Sequence, residues 1–378
     1  MNLRTKIAIN FISLLLNFHS LQAEIYYVDT ISGDDSFSGT ELNSWKTINK
    51  AAQSVQAGDT VYIKAGDYIL ENEIIPKFSG TANQPILYMA YPGDEHKVII
   101  DGRNLHLSSW GGLWHIDSKN HLKISGLSFI TSSYAGILIE NSSHITITDC
   151  QTDQTYSSGI SVWNSENISI NNNQVRRACW PSGGEQECIS ISGSTKVIVQ
   201  NNLVYDGGSI GYGGGGEGID FKDGCTQGII INNEIHDIAS VGIYIDAYKN
   251  NQQDIYVANN KIYNISGVGI AAASEEGGTL KNINISKNIV YKCEDRAAVI
   301  HWTNKPDYII ENIFLHHNTF FENAEGLDVG AHSKAKNIHI TNNIFSQNKN
   351  YQLQNSSTNL DSNQLKVSGN LFYGDNPS

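Results

Sequence analysis

Gly218-Ile-Asp-Phe221 and Gly242-Ile-Tyr-Ile245 are two copies of one short phrase, and the phrase recurs along most of the chain. Gly136-Ile-Leu-Ile139, Gly159-Ile-Ser-Val162, Cys188-Ile-Ser-Ile191, Gly269-Ile-Ala-Ala272, Ala298-Val-Ile-His301 and Gly326-Leu-Asp-Val329 continue it. Successive copies lie about 23–30 residues apart, a period that marks a solenoid. One unit is too long for a strand and too short for a domain. It fits one coil of a parallel β-helix, in which two or three short strands stack on the next coil about 4.8 Å away. A second register runs between the phrases: Asn172-Asn173, Asn201-Asn202, Asn232-Asn233, Asn259-Asn260, Asn288, Asn318, Asn342-Asn343 and Asn370. Asn tolerates the left-handed backbone region and bonds its neighbours, so this register marks a turn. Stacked Asn side chains can also bond from coil to coil.

Alternation assigns the faces. One and three places after each leading Gly stands an apolar residue, and these fill the interior. The residues two and four places after it then point outward. Stacked in coil order, the outward pairs are Leu138/Glu140, Ser161/Trp163, Ser190/Ser192, Asp220/Lys222, Tyr244/Asp246, Ala271/Ala273, Ile300/Trp302 and Asp328/Gly330. His301 should point inward. A helix is expected from about Ser44, with Trp45, Ile48, Ala52 and Val55 on its apolar face and Gly58 as its stop. Such a helix would cap the open end of the solenoid, whose core and strand edge are otherwise exposed.

The bulk properties bound the function. The net charge is -13, from 38 acidic and 25 basic residues, which argues against a nucleic-acid partner. Arg4 and Lys6, the apolar stretch Ile7 to Phe18 and the sequence Leu21-Gln22-Ala23 read as an export signal cleaved near Ala23. That stretch is too short to span a membrane comfortably, and no later one reaches 18 apolar residues. The expectation is a secreted or periplasmic monomer: a signal peptide over 1–23 and one β-helix domain over 24–378. Cys179 and Cys188 bracket a short loop and leave two readings level, a disulfide or two buried thiols. No CxxC or His/Cys cluster indicates zinc.

Tyr26-Tyr-Val-Asp29, Gly33-Asp-Asp35, Gly39-Thr40, Trp45-Lys-Thr-Ile48, Ala51-Ala52 and Gly58-Asp-Thr-Val-Tyr-Ile-Lys-Ala-Gly66 resemble the opening of secreted right-handed parallel β-helix proteins of the pectate lyase-like superfamily. The pectate lyase L and chondroitinase B/alginate lyase families are the nearest in pattern. The resemblance implies an all-β, right-handed parallel β-helix capped by an N-terminal helix. It says less about chemistry, because this scaffold hosts lyases, hydrolases, epimerases and non-enzymatic binders.

The outward row carries the candidate chemistry. Its central coils bear Asp220, Lys222, Tyr244 and Asp246, flanked by Trp163 and Trp302. Aromatic rings beside charged groups suit a sugar chain, whereas outward Trp residues are costly as mere decoration. The spacing Glu217 to Lys222 resembles the calcium-ligand Glu and catalytic Lys of the chondroitinase B/alginate lyase family. The resemblance implies that Glu217 helps hold Ca2+ and that Lys222 is the base, on an acidic, uronate-containing polysaccharide. The family's Arg on the following coil is missing, so Tyr244 would serve as acid. Glu185, Glu187 and Asp220 are further oxygen ligands by proximity.

In β-elimination the base removes the C5 proton while calcium or a cation neutralises the adjacent carboxylate. Lysine ordinarily ionises near 10.4, and Asp220, Asp223 and Asp246 would raise it further. Lys222 is therefore a base only if a divalent ion masks those carboxylates. A C5-epimerase begins with the same abstraction. The rival reading makes Asp220 and Asp246 the acid and base of a glycoside hydrolase. One coil step and two strand residues separate their Cα atoms by about 8 Å, in the range for inverting enzymes. A third reading is a non-catalytic carbohydrate binder. Arg296 lies within reach of the cleft to meet a substrate carboxylate. Glu275 and Glu276 read slightly better as a solvated turn than as further acids, and His316 and His317 as turn residues.

Overall fold

The computed structural model describes residues 23–107, 110–180, 186–208, 215–302, 308–330, 335–357, 360–361 and 363–374, without the Trp302 side chain. The N-terminal segment expected to be an export signal, up to residue 22, Glu185 and most of the glycine-rich stretch before Glu217 lie outside the described residues.

Apolar alternation on each short strand can be satisfied only against the next coil, and the chain winds accordingly. Three parallel sheets of 13, 12 and 10 strands form the faces of a right-handed β-helix. The 10-stranded sheet holds the repeated phrases, from Gly112–Asp117 to Leu353–Gln354. Its interior row runs from Ile137 through Ile160, Ile189, Ile219, Ile243 and Ile270 to Leu327, every one fully buried. Each such isoleucine contributes about 1.5–3 kcal/mol by leaving water.

The leading glycine has a steric cause. A Cβ on Gly218 would lie 2.5 Å from the Gly242 carbonyl oxygen, and one on Gly242 would lie 2.6 Å from that of Gly269. Coils approach so closely at Gly218 and Gly242 that neither place admits a side chain, whereas the equivalent places on other coils take Cys188 and Ala297.

The Asn register is a ladder, as its composition predicts. Asn260 Oδ1 accepts from the backbone N–H (2.9 Å) and Nδ2 (3.0 Å) of Asn233, and Asn260 Nδ2 donates to Ile230 O and to Asn288 Oδ1 at 3.0 Å each. The same pattern links Asn173 through Asn370. The preceding residues Asn172, Asn201, Asn232, Asn259 and Asn342 take φ between 55° and 58°. Outside the helix, Tyr205, His236, Tyr263, Tyr291 and Phe321 stack with ring centroids 4.8–5.2 Å apart.

Four expectations are corrected. The helix is Ile48–Ser54, shorter than expected, and Thr47 caps it by accepting from Lys50 N–H at 3.1 Å. Trp45 precedes it, buried and stacked on Tyr26. The phrase at 298 is read one residue late: Ala298 pairs with Ile270, so Ala297 takes the glycine place. Ile300 is therefore buried, and His301 is exposed rather than inward. Trp302 pairs with Ser274, one place off the outward row. The misreading arose because Ala297-Ala298 offers two small residues in tandem. Finally, all five cysteines are buried free thiols, with Cys179 Sγ donating to Gln186 O at 3.0 Å.

Candidate active site

The ladder of the 10-stranded sheet brings the central polar residues together as their spacing implies. Ser190, Asp220 and Tyr244 lie side by side on successive coils, and Ser192, Lys222 and Asp246 form the parallel row. Asp220 and Asp246 are thus diagonal neighbours, one coil and two residues apart. Trp163 continues the second row beside Ser192.

Lys222 is fully engaged. Its ammonium donates to Glu187 Oε1 at 2.7 Å and Oε2 at 2.9 Å, and to Gln186 Oε1 at 2.8 Å. It also sits 5.5 Å from the Trp163 ring centroid. The side chains of Lys222 and Glu187 are 14% and 8% exposed, so this is a buried ion pair. Burial opposes the charged amine, but Glu187 and Asp220 outweigh it and hold the Lys222 pKa above its ordinary value. Glu187 also accepts from Ser190 Oγ at 2.6 Å.

The other acids are held toward their protonated forms. Burial and then the Glu187 charge push Asp220 well above the carboxylate range, and its Oδ1 has no protein partner. Burial and then Glu187 raise Glu217 to about 7, with Ser240 Oγ donating to it at 2.9 Å. Burial and then Glu275 raise Asp246 to about 7, although Tyr248 N–H donates to it at 2.6 Å. Tyr244 donates its hydroxyl to the Glu275 carboxylate, and burial, Asp246 and Glu275 keep that phenol protonated. One ammonium cannot neutralise this many carboxylates, so protons do the rest.

These contacts revise several roles. Glu187, expected as an oxygen ligand of calcium, here faces the Lys222 ammonium. Among the described residues no three acid, His or Cys side chains gather to hold a metal. Arg296 is drawn away by Asp295 (3.1 Å), Glu325 (3.3 Å) and Asp328 (3.5 Å). Glu275, weighed as a solvated turn, reaches into the site through Tyr244. Trp163 stands where expected, whereas the Trp302 side chain lies outside the described residues.

Sequence reading missed a cluster next to Trp163. Trp110 packs at right angles to Trp163, with centroids 5.0 Å apart and an interplanar angle of 77°. Its Nε1 donates to Glu140 Oε2 at 2.7 Å, and His115 bridges Glu140 (3.2 Å) and Glu73 (3.5 Å). Trp110 and Glu73 lie outside the repeated phrase, so no register pointed to them. Glu140, beside Trp163 in the outward row, was the available signal.

The fold is a right-handed parallel β-helix that carries a row of acidic and aromatic side chains on one face. Residues 26–187 match the family described as "Pel9A-like, right handed beta helix region", and residues 182–315 match "Right handed beta helix region". Together the two matches run over residues 26–315, both to right-handed β-helix families of the pectate lyase-like kind. The uncharacterized protein YwoF of Bacillus subtilis (strain 168) is 28% identical over 300 residues, 69% of this chain and 60% of that protein. Pectate lyase PEL9 of Emericella nidulans is 36% identical over 85 residues, 22% of this chain and 20% of that enzyme. The chain thus spans 60% of the first relative's length and 20% of the second's. An exopolygalacturonase from Thermotoga maritima superposes with a TM-score of 0.60 at 11% identity, covering 84% of this chain and 85% of that one, a likeness of fold. No helix among the described residues is long and apolar enough to cross a membrane.

Proposed function

We propose that the chain is a polysaccharide hydrolase that cleaves glycosidic bonds with inversion, using Asp220 and Asp246. The observation that carries this reading is the division of charge in the site. Lys222 is locked onto Glu187, while Asp220 and Asp246, diagonal to one another on adjacent coils, have no cation of their own among the described residues. Their surroundings differ: Asp220 Oδ1 lacks a protein partner, and Asp246 accepts from Tyr248 N–H. Paired acids whose environments push them apart supply an acid and a base. Asp220, buried and flanked by the Glu187 charge, keeps its proton and delivers it to the leaving glycosidic oxygen. Asp246, ionising near 7, takes a proton from the attacking water. The C–O bond to the leaving sugar breaks as the bond to water oxygen forms. The diagonal offset leaves about 8 Å between the Cα atoms, enough for that water. Asp220 is 2% exposed, so entry of substrate must uncover it; acids in empty sites often meet their partners only in the complex.

Lys222 is the counter-ion of Glu187, and the Glu187 charge beside Asp220 favours the protonated form of Asp220. A calcium-dependent lyase would need Lys222 released from Glu187 and Gln186, which it contacts here.

The test is product analysis on a polysaccharide panel, with and without chelator. New reducing ends of inverted configuration, without ultraviolet absorbance, are expected. Asp246→Asn and Asp220→Asn should each lower kcat at least about 100-fold, the scale of one acid or base group. Chelator-sensitive absorbance from an unsaturated uronate would overturn the proposal in favour of elimination.

A further inference from the structure

We propose that Trp110, Trp163, Glu140 and His115 form a subsite for an uncharged sugar ring, and that the cleft selects a neutral polysaccharide over a uronate. The inference rests on the hydrolase reading only in taking the ligand to be a glycan.

The subsite is built from three successive strands of the 10-stranded sheet, Gly112–Asp117, Ala135–Glu140 and Ile160–Trp163, and the segment before the first of them. Glu140 pairs with Trp163 on the next coil, and His115 pairs with Leu138 one coil back. Trp163 lies on Tyr134, Ala135 and Leu138, which bury its lower face. Its Nε1 donates to Ser161 Oγ at 2.8 Å, which fixes the ring plane. Trp110 stands on end against it and remains 39% exposed. Tyr134, 5.8 Å away, backs Trp110 from below. The result is an aromatic corner with one wall and one floor, both held by indole hydrogen bonds. An indole this exposed forfeits the burial that normally places Trp inside, yet this one is oriented by a 2.7 Å bond. The C–H faces of a pyranose are apolar with slightly positive hydrogens, and they suit the negative face of an indole.

The polar edge decides which sugar. Glu140 accepts one hydrogen bond on each oxygen, from Trp110 Nε1 and His115 Nε2. Each carboxylate oxygen has a second lone pair, so both can still accept from sugar hydroxyls. Glu73 accepts from Gly112 N–H at 2.8 Å and faces the other nitrogen of His115. Burial disfavours the charged imidazole, but its bonds to Glu73 and Glu140 outweigh this and raise its pKa. Two carboxylates and one imidazolium leave the subsite net negative. Farther along the same face stand the carboxyl groups of Glu187, Glu217, Asp220, Asp246 and Glu275, and among the described residues the lysine beside them, Lys222, is already paired with Glu187. A uronate entering this row meets a succession of acidic side chains and, among the described residues, no unpaired lysine to receive its carboxylate. Hydroxyl groups, which donate, meet acceptors.

Trp163 is three coil steps from Asp246 along the outward row, about 14 Å. The subsite therefore holds a sugar other than the one attacked by water. The Lys222 ammonium over the Trp163 ring joins the two regions into one track.

The test uses the full chain carrying Asp246→Asn, so that binding is read without turnover. Galacturonan, mannuronan and glucuronan tetramers are titrated beside their carboxyl-reduced, neutral counterparts, with intrinsic Trp fluorescence as the readout. At least one neutral tetramer should bind about tenfold or more tightly than its acidic partner, a difference of about 1.4 kcal/mol. Trp110→Ala should weaken that binding about tenfold while the melting temperature stays within a few degrees. Glu140→Gln should narrow the neutral-to-acidic ratio, which a merely structural Glu140 would not do. Tighter binding of an acidic tetramer, binding of none, or indifference to Trp110→Ala would overturn the proposal. Neutral-selective binding without cleavage by the unsubstituted chain would leave the subsite standing and remove only the hydrolase reading. Cleavage that ignores Trp110→Ala would do the reverse.

Discussion

Replacing Lys222 by Met separates its two readings, structural counter-ion and catalytic base. Met keeps the stem that lies over Trp163 and removes only the ammonium. Three hydrogen bonds of 2.7–2.9 Å disappear, to both Glu187 oxygens and to Gln186. Glu187, 8% exposed, is left beside Glu217 and Asp220 with no counter-charge. Removing one partner of a buried ion pair costs about 3–5 kcal/mol, or about two to three and a half decades in the folding equilibrium. Replacing both partners by apolar residues of similar size is often neutral. Lys222→Met should therefore lower the urea midpoint sharply at pH 7, by about 1.5–2.5 M if the slope is near 2 kcal/mol/M. Lys222→Met/Glu187→Met should regain most of the loss. Urea is the suitable denaturant because it does not screen charge. A midpoint unchanged by Lys222→Met, or a double variant no better than the single, would refute the ion-pair account. Loss of turnover in a fully stable Lys222→Met chain would return the lysine to the role of base.

Two more outcomes follow from the same contacts. Glu217 and Asp246 have folded pKa values raised to about 7, above their unfolded values, so the folded chain binds more protons than the unfolded one between about pH 4 and 7. Their contribution to stability is then greatest at low pH and falls as pH rises through that window; Asp246→Asn should flatten the fall and raise the urea midpoint at pH 8, and an unchanged pH slope would show that Asp246 is not the titrating group. Asn260→Ala deletes four ladder hydrogen bonds and leaves the buried Asn233 N–H without its acceptor, so it should cost about 2–5 kcal/mol by thermal or urea unfolding, whereas Asn370→Ala at the end of the ladder should cost less; equal losses at the two sites would contradict the ladder as the source.

The architecture was legible in the residues because a solenoid repeats its physics. Alternation places Ile137 and Ile139 inside wherever the coil recurs, the corner admits only glycine or another small residue, and Asn satisfies the turn on every coil. Residues at matching places in consecutive phrases must be neighbours, so Asp220, Lys222, Tyr244, Asp246 and Trp163 share a face by spacing alone. The one failure of register, at Ala297-Ala298, came where two small residues left the phase ambiguous. What spacing does not contain is the approach of segments from other parts of the coil. Gln186 and Glu187 precede their phrase, yet they reach Lys222 and turn a candidate base into half of an ion pair. Glu275 reaches Tyr244, and Trp110 and Glu73 close an aromatic corner over Trp163 and Glu140. The protonation of Asp220 and Asp246 depends on how deeply those neighbours bury them and on how many carboxylates share one ammonium. Charge and desolvation act through space over a few ångströms, and only the folded coil sets those distances.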